Sequence, residues 1–200
     1  DTVPEGIEIA IGGGNPLSHP DLIPFLKRMK KRNVICNITV NENHFLKNID
    51  LIQSLIDNKL IFGLGISLTK IQKETLEFAS KNTNTVFHVI NGVFMSYDKI
   101  ANKGYKILIL GYKKFGRGES YFNKDIELNM KVTKQFLKLL LNQFDVVSFD
   151  NLALEQLNVK ELIGDEFNNV FMGKDGEATM YIDLVKNEYA VSSTSLKRYY

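Results

Sequence analysis

Apolar side chains recur along the chain in two alternating rhythms. Near-continuous runs of Val, Ile, Leu and Phe occupy residues 7–11, 34–40, 62–68, 86–90, 107–110 and 146–149. Parallel strands covered on both faces read this way, whereas a half-wet antiparallel strand alternates. Between these runs the apolar positions fall at helical spacing. Residues 20–31 place Leu22, Ile23, Phe25, Leu26 and Met29 on one face, and 45–60 repeat Phe45, Ile49, Ile52, Ile56 and Leu60. Residues 71–80 and 126–144 are similar, and 97–102 form a shorter candidate. Strand–helix–strand repetition predicts right-handed crossovers and one parallel sheet. The expected fold is α/β: a partial (β/α) barrel with mainly parallel strands in sequence order.

The rhythm changes near the C-terminus. Residues 178–183 and 188–192 alternate apolar and polar side chains around Lys186-Asn187, just after the turn signal Asp175-Gly176. This predicts a C-terminal β-hairpin within 175–200. Met180, Ile182 and Leu184 are its expected inward face. The hairpin either covers the domain or shapes a substrate pocket. No internal repeat or low-complexity segment appears, so residues 1–200 read as a single domain.

Composition narrows the function classes. With 25 basic and 23 acidic residues the net charge is +2, which gives no case for nucleic acid or a membrane surface as partner. The one dense basic run is Lys27, Arg28, Lys30, Lys31 and Arg32. It falls at a helix end, where cations complement the macrodipole; a phosphate-binding patch is the alternative. The single cysteine, Cys36, excludes an internal disulfide and a CxxC zinc motif, and it reads as a small buried hydrophobe. That usage suits a reducing, cytoplasmic setting. No apolar run is long enough to span a membrane, and no signal peptide is visible. The chain begins at Asp1 rather than Met, which suggests a piece of a longer protein, trimmed near its first strand.

In parallel α/β sheets ligands bind beyond the carboxyl ends of the strands. The candidate residues are therefore those that close each apolar run. The first run ends in Gly12-Gly13-Gly14-Asn15-Pro16, whose glycines let backbone approach a ligand. A plain tight turn explains the same residues. Ser18 or His19 is placed to cap the next helix, with Asp21 in its first turn. Asn41, Ser67, Asn91 and Lys113 stand at or just past later strand ends, and Lys113 and Arg117 suit a carboxylate or phosphate. His19 and His44 sit near helix starts, where capping or solvent contact accounts for them. His88 lies in an apolar run and reads as a hydrogen-bonded core histidine, with ligand contact as the rival. Asp150 and Asn151 either face the pocket or cap the following helix.

Gly12-Gly13-Gly14-Asn15-Pro16-Leu17 followed by His19-Pro20-Asp21-Leu22 resembles the Gly-Gly-Glu-Pro segment of radical S-adenosylmethionine enzymes. Later strand ends follow in similar order: Thr39-Val40-Asn41, Gly65-Ile66-Ser67, Val89-Ile90-Asn91-Gly92, and Leu110-Gly111-Tyr112-Lys113 running on to Arg117. The resemblance implies an S-adenosylmethionine site in which Gly13, Gly14 and Asn15 meet the amino group of the cofactor's methionine part, with Gly12 also binding the cofactor. Asn15 stands where the family usually has Glu. It implies that Asn41, Ser67, Asn91, Lys113 and Arg117 line the rest. It also implies a [4Fe–4S] cluster on a CxxxCxxC motif, which these residues do not contain. The expectation is that such a segment lies upstream in an intact enzyme, and that this chain alone holds no metal and performs no reductive cleavage. The rivals are a non-catalytic S-adenosylmethionine- or nucleotide-binding module and an unrelated (β/α) barrel enzyme that holds a phosphate. The substrate, a small molecule or a peptide, stays unspecified. A partner segment, a second copy or a displaced terminus is expected to cover the open first strand.

Overall fold

All six apolar runs form strands: β1 (Glu8–Ile11), β2 (Ile35–Asn41), β3 (Gly63–Ser67), β4 (Thr85–Ile90), β5 (Lys106–Leu110) and β6 (Val146–Phe149). The computed structural model describes residues 4–200; Asp1, Thr2 and Val3 and the side chain of Arg117 lie outside the described residues. Every pairing is parallel and the order is β1-β2-β3-β4-β5-β6. The sheet is open, with β1 and β6 as its edges.

The connections carry α1 (Leu22–Lys31) after β1, α2 (Glu42–Leu46) and α3 (Ile49–Asp57) after β2, and α4 (Lys73–Lys81) after β3. After β5 come α5 (Arg117–Tyr121) and α6 (Lys124–Leu141), and after β6 come α7 (Asn151–Leu157), α8 (Val159–Ile163) and α9 (Phe167–Val170). Crossovers of one hand in a strictly sequential sheet put the helices on one face. The burial agrees. Ile38, Ile66, Phe87 and Ile107 share one buried cluster with Leu26 of α1, Ile52 of α3, Phe78 of α4 and Leu137 of α6. Phe45 and Phe78 meet edge-on at 5.0 Å between ring centroids, an aromatic contact that adds about 1 kcal/mol to simple burial.

The other face is less covered than the apolar runs suggest. Thr39, Ser67, His88 and Leu108 are only half-buried there, and Ala10 and Ser148 are exposed. This face, which we call the bare face, carries most of the sheet's polar side chains; Thr85 lies buried on the other.

Three details differ from the sequence reading. The helix expected over 45–60 is two helices, because Asn48 leaves helical geometry (φ −135°, ψ 25°) and its Nδ2 donates to the His44 carbonyl. Asparagine competes with helical backbone bonding in this way. The candidate helix at 97–102 is a single 3-10 turn, Tyr97–Lys99, ended by the left-handed Asn102 (φ 57°). The C-terminal hairpin exists as β7 (Tyr181–Asp183) antiparallel to β8 (Glu188–Ala190). Its expected inward face is wrong: Met180, Ile182 and Leu184 are exposed, and Tyr181, Glu188 and Ala190 turn inward instead. Glu188 is held by Arg198, whose Nε stands 3.5 Å from Oε1, and the Arg198 guanidinium lies over the Tyr181 ring. A hairpin shows its alternate residues to opposite faces, so one residue of phase exchanges them all.

Candidate functional site at the carboxyl edge

Parallel pairing brings the carboxyl ends of all six strands to one edge, where the loops that follow them gather. At β1, Gly12, Gly13 and Gly14 are exposed, and Gly13 (φ 83°) and Gly14 (φ 53°) adopt the left-handed region that glycine tolerates. An added Cβ at any of the three would meet nothing within 4 Å, so the turn is shaped by backbone conformation and opens to solvent. Asn15 closes it. Its backbone carbonyl accepts from the Ser18 hydroxyl at 2.8 Å, while its side-chain Oδ1 is buried without a hydrogen-bond partner. An unpaired buried acceptor costs about 1–3 kcal/mol unless something donates to it.

Asn41 ends β2 and caps α2, its Oδ1 accepting from Asn43 N at 2.9 Å. The next residue, Glu42, is buried and accepts from the Thr75 hydroxyl at 2.9 Å, which ties α2 to α4. Ser67 ends β3 half-buried on the bare face. Asn91, just past β4, is fully buried; its Nδ2 donates to Gln156 Oε1 at 3.2 Å, and its Oδ1 is another unpaired acceptor. Gln156 also bonds the Tyr112 backbone on both sides, accepting at 2.9 Å and donating at 2.9 Å, so α7 is stitched across the ends of β4 and β5. Lys113 is exposed, with Nζ 3.4 Å from the Ser193 hydroxyl of the C-terminal tail. The candidate Arg117 opens α5, and its side chain lies outside the described residues.

The structure therefore sets Asn15, Asn41, Ser67, Asn91 and Lys113 along one edge but gives them different surroundings. Asn41 is occupied as a cap, Asn91 is sealed in, and Lys113 reaches toward the tail. Asp150, for which two uses stood open, caps α7: its Oδ1 accepts from Ala153 N at 2.7 Å and from Gly111 N at 2.8 Å. Asn151 donates to Asp175 at 2.6 Å and anchors the approach to the hairpin.

The bare face adds residues that periodicity assigned to the core. Register aligns Asn41, Ser67, His88, Leu108 and Ser148 in one row across β2 to β6. Below it, Thr39 pairs with Gly65. His88 lies across β3 over Gly65, where an added Cβ would stand 2.6 Å from the imidazole and 2.8 Å from Thr39 Oγ1. Burial pushes the imidazole down to about 4, so it is neutral at pH 7. Further toward the amino edge, Asn37 receives the Gly63 N–H at 2.6 Å and donates to Glu8. The signal for this row was present in the sequence as period-2 polar positions, Asn37, Thr39 and Asn41, inside an apolar run.

Cys36 points the other way, into the buried cluster, and burial pushes its thiol up to about 11. Among the described residues no group of three His, Cys, Asp or Glu side chains is placed to hold a metal ion. The donor set for an iron–sulfur cluster, three thiolates, does not fit these residues. Among them no helix is long and apolar enough to cross a membrane. What the fold and site define is an open, sequentially ordered parallel α/β sheet with a glycine turn and unpaired amide acceptors at its carboxyl edge. In comparisons with known proteins, no family model, no curated protein and no solved structure matches the chain.

Proposed function

We propose that this chain is the S-adenosylmethionine-holding body of a radical S-adenosylmethionine-type enzyme, with the cofactor bound along the carboxyl edge from β1 toward β5. The observation that carries the reading is Asn15: a buried, unpaired amide oxygen directly after three consecutive glycines at the end of the edge strand. An ammonium is the donor such an oxygen suits, and the glycine turn leaves backbone groups open beside it. Ser67 presents a half-buried hydroxyl at the end of β3, and Lys113 supplies an exposed cation for a carboxylate. S-adenosylmethionine, when bound, supplies a sulfonium whose cleavage yields a carbon radical. These residues hold and orient the cofactor; among the described residues there is no ligand set for a cluster. Taken alone, the chain binds the cofactor without cleaving it.

Equilibrium dialysis with labelled S-adenosylmethionine tests this. The wild-type chain binds, and Asn15→Ala weakens binding about 10-fold or more, the value of one hydrogen bond to a charged group. Asn15→Asp keeps or strengthens binding by adding a charge opposite the ammonium. Methionine competes, and adenosine without the amino acid part loses its dependence on residue 15. No binding by the wild-type chain, or binding indifferent to residue 15, refutes the proposal.

A further inference from the structure

Away from the carboxyl edge, α1 and α3 leave a groove of about 640 Å³ between them. Its floor is Ile23, Leu51, Leu55 and Leu60, and Lys27 and Lys31 stand on its rim. Lys30 also borders it but is already used, donating to the Asn58 carbonyl at 2.7 Å at the end of α3. The segment 27–32 carries five cations while the whole chain nets only +2, so the remainder of the molecule is net acidic. Residues 22–32 contain no acid at all, and among the described residues no carboxylate lines the groove. A helix end favours some positive charge, but here three lysines, Lys27, Lys30 and Lys31, stand beside the apolar floor.

The matching surface lies at the other end of the same sheet. Residues 159–170, spanning α8 to α9, contain Glu161, Asp165 and Glu166 and one cation, Lys160, whose Nζ lies over the Phe167 ring. Exposed apolar side chains accompany them: Leu162, Val170 and Met172, the last 84% exposed. This segment follows β6, whereas the groove flanks β1 to β3. The six-stranded order separates the edge strands by five spacings, roughly 24 Å at the usual strand separation. The two surfaces cannot meet within one copy.

We propose that the groove between α1 and α3 receives the α8–α9 segment of a second copy of this chain. The apolar side chains enter the floor, and the carboxylates face Lys27 and Lys31. The contact is heterologous, so copies join head to tail, with a ring or an open string as the product according to the rotation between them. The association is sensitive to salt, because rim charges steer it and salt screens them. This inference is independent of the proposed cofactor.

Sedimentation velocity over a concentration series, at low and high salt, reads it directly. The wild-type chain shows a mass average that rises with concentration at low salt and falls back at high salt. Lys27→Glu with Lys31→Glu is monomeric, and so is Asp165→Lys with Glu166→Lys. Lys30 stays untouched because it caps α3, and circular dichroism checks that both variants are folded. An equimolar mixture of the two variants associates again, since each reversed surface finds a reversed partner. A wild-type chain that stays monomeric at its highest soluble concentration overturns the proposal and leaves the groove to a foreign acidic partner. Variants that associate like the wild type, or a mixture that stays monomeric, overturn it equally.

Discussion

His88 and Gly65 fix each other's positions on the bare face. The imidazole occupies the space where a Cβ at residue 65 would stand, 2.6 Å from ring atoms. Gly65→Ala therefore overpacks the spot and costs about 1–3 kcal/mol, with part of the loss recovered in a His88→Ala background because the two sites touch. Urea unfolding of the four combinations measures that coupling, and strict additivity would show that the ring moves aside freely. The same burial sets a pH dependence. The unfolded chain holds the imidazole near its ordinary 6.5, the folded chain near 4. Between those values the unfolded state binds the extra proton, so stability falls as pH falls from 6.5 toward 4; above 6.5 the ring is neutral in both states and the contribution is constant. His88→Gln removes that part of the slope, which unfolding midpoints at a series of pH values resolve against the wild type. Equal slopes would mean that the imidazole is as well solvated folded as unfolded.

Asp150 joins two elements through one oxygen, capping α7 at Ala153 N and holding Gly111 N of the β5 end. The close approach is possible because Gly111 has no side chain; a Cβ there would stand 2.4 Å from Leu152. Asp150→Ala loses the cap, about 1 kcal/mol, and leaves the Gly111 donor without its acceptor, about 1–3 kcal/mol more. Asp150→Asn keeps an acceptor and recovers most of the loss. Thermal unfolding of the two variants checks this, and equal destabilisation by both would show that charge, not the paired hydrogen bonds, is what α7 requires. Such junctions explain which elements were legible beforehand. The six strands declared themselves as near-continuous apolar runs, including the edge strands β1 and β6, none of whose residues is fully buried. The break at Asn48 was hidden, since Phe45 and Ile49 keep the apolar rhythm through it while a side-chain hydrogen bond interrupts the backbone. The hairpin's inward face was misread because Arg198, distant in sequence, makes Tyr181 and Glu188 the better residues to cover.

At the scale of the molecule, strand order followed from short crossovers between consecutive units, and the carboxyl edge followed from parallel pairing. The candidate residues were legible as positions but not as environments. Asn15 and Asn91 look alike in sequence, yet one closes an open glycine turn and the other is sealed under Gln156. The bare face was legible only in β2, as its alternating polar positions, because register is what assembles Asn41, Ser67, His88 and Ser148 into a row. A sequential open sheet also has a definite hierarchy of stability. β3 and β4 are paired on both sides and carry fully buried Ile66, Phe87 and Val89. β1 pairs with β2 alone, and none of its residues is fully buried. Opening β1 exposes less apolar surface than opening the centre and breaks one ladder instead of two. Local openings draw on such differences. Native-state hydrogen exchange therefore shows the amides of Ile66, Phe87 and Val89 exchanging last, through global unfolding, and those of Ile9 and Ile11 exchanging earlier through a smaller opening. Denaturant dependence separates the two, since the smaller opening exposes less surface and has a shallower slope. If β1 proves as protected as the centre in dilute solution, where copies are apart, the edge is held by something other than its pairing with β2, and the sheet has no such hierarchy.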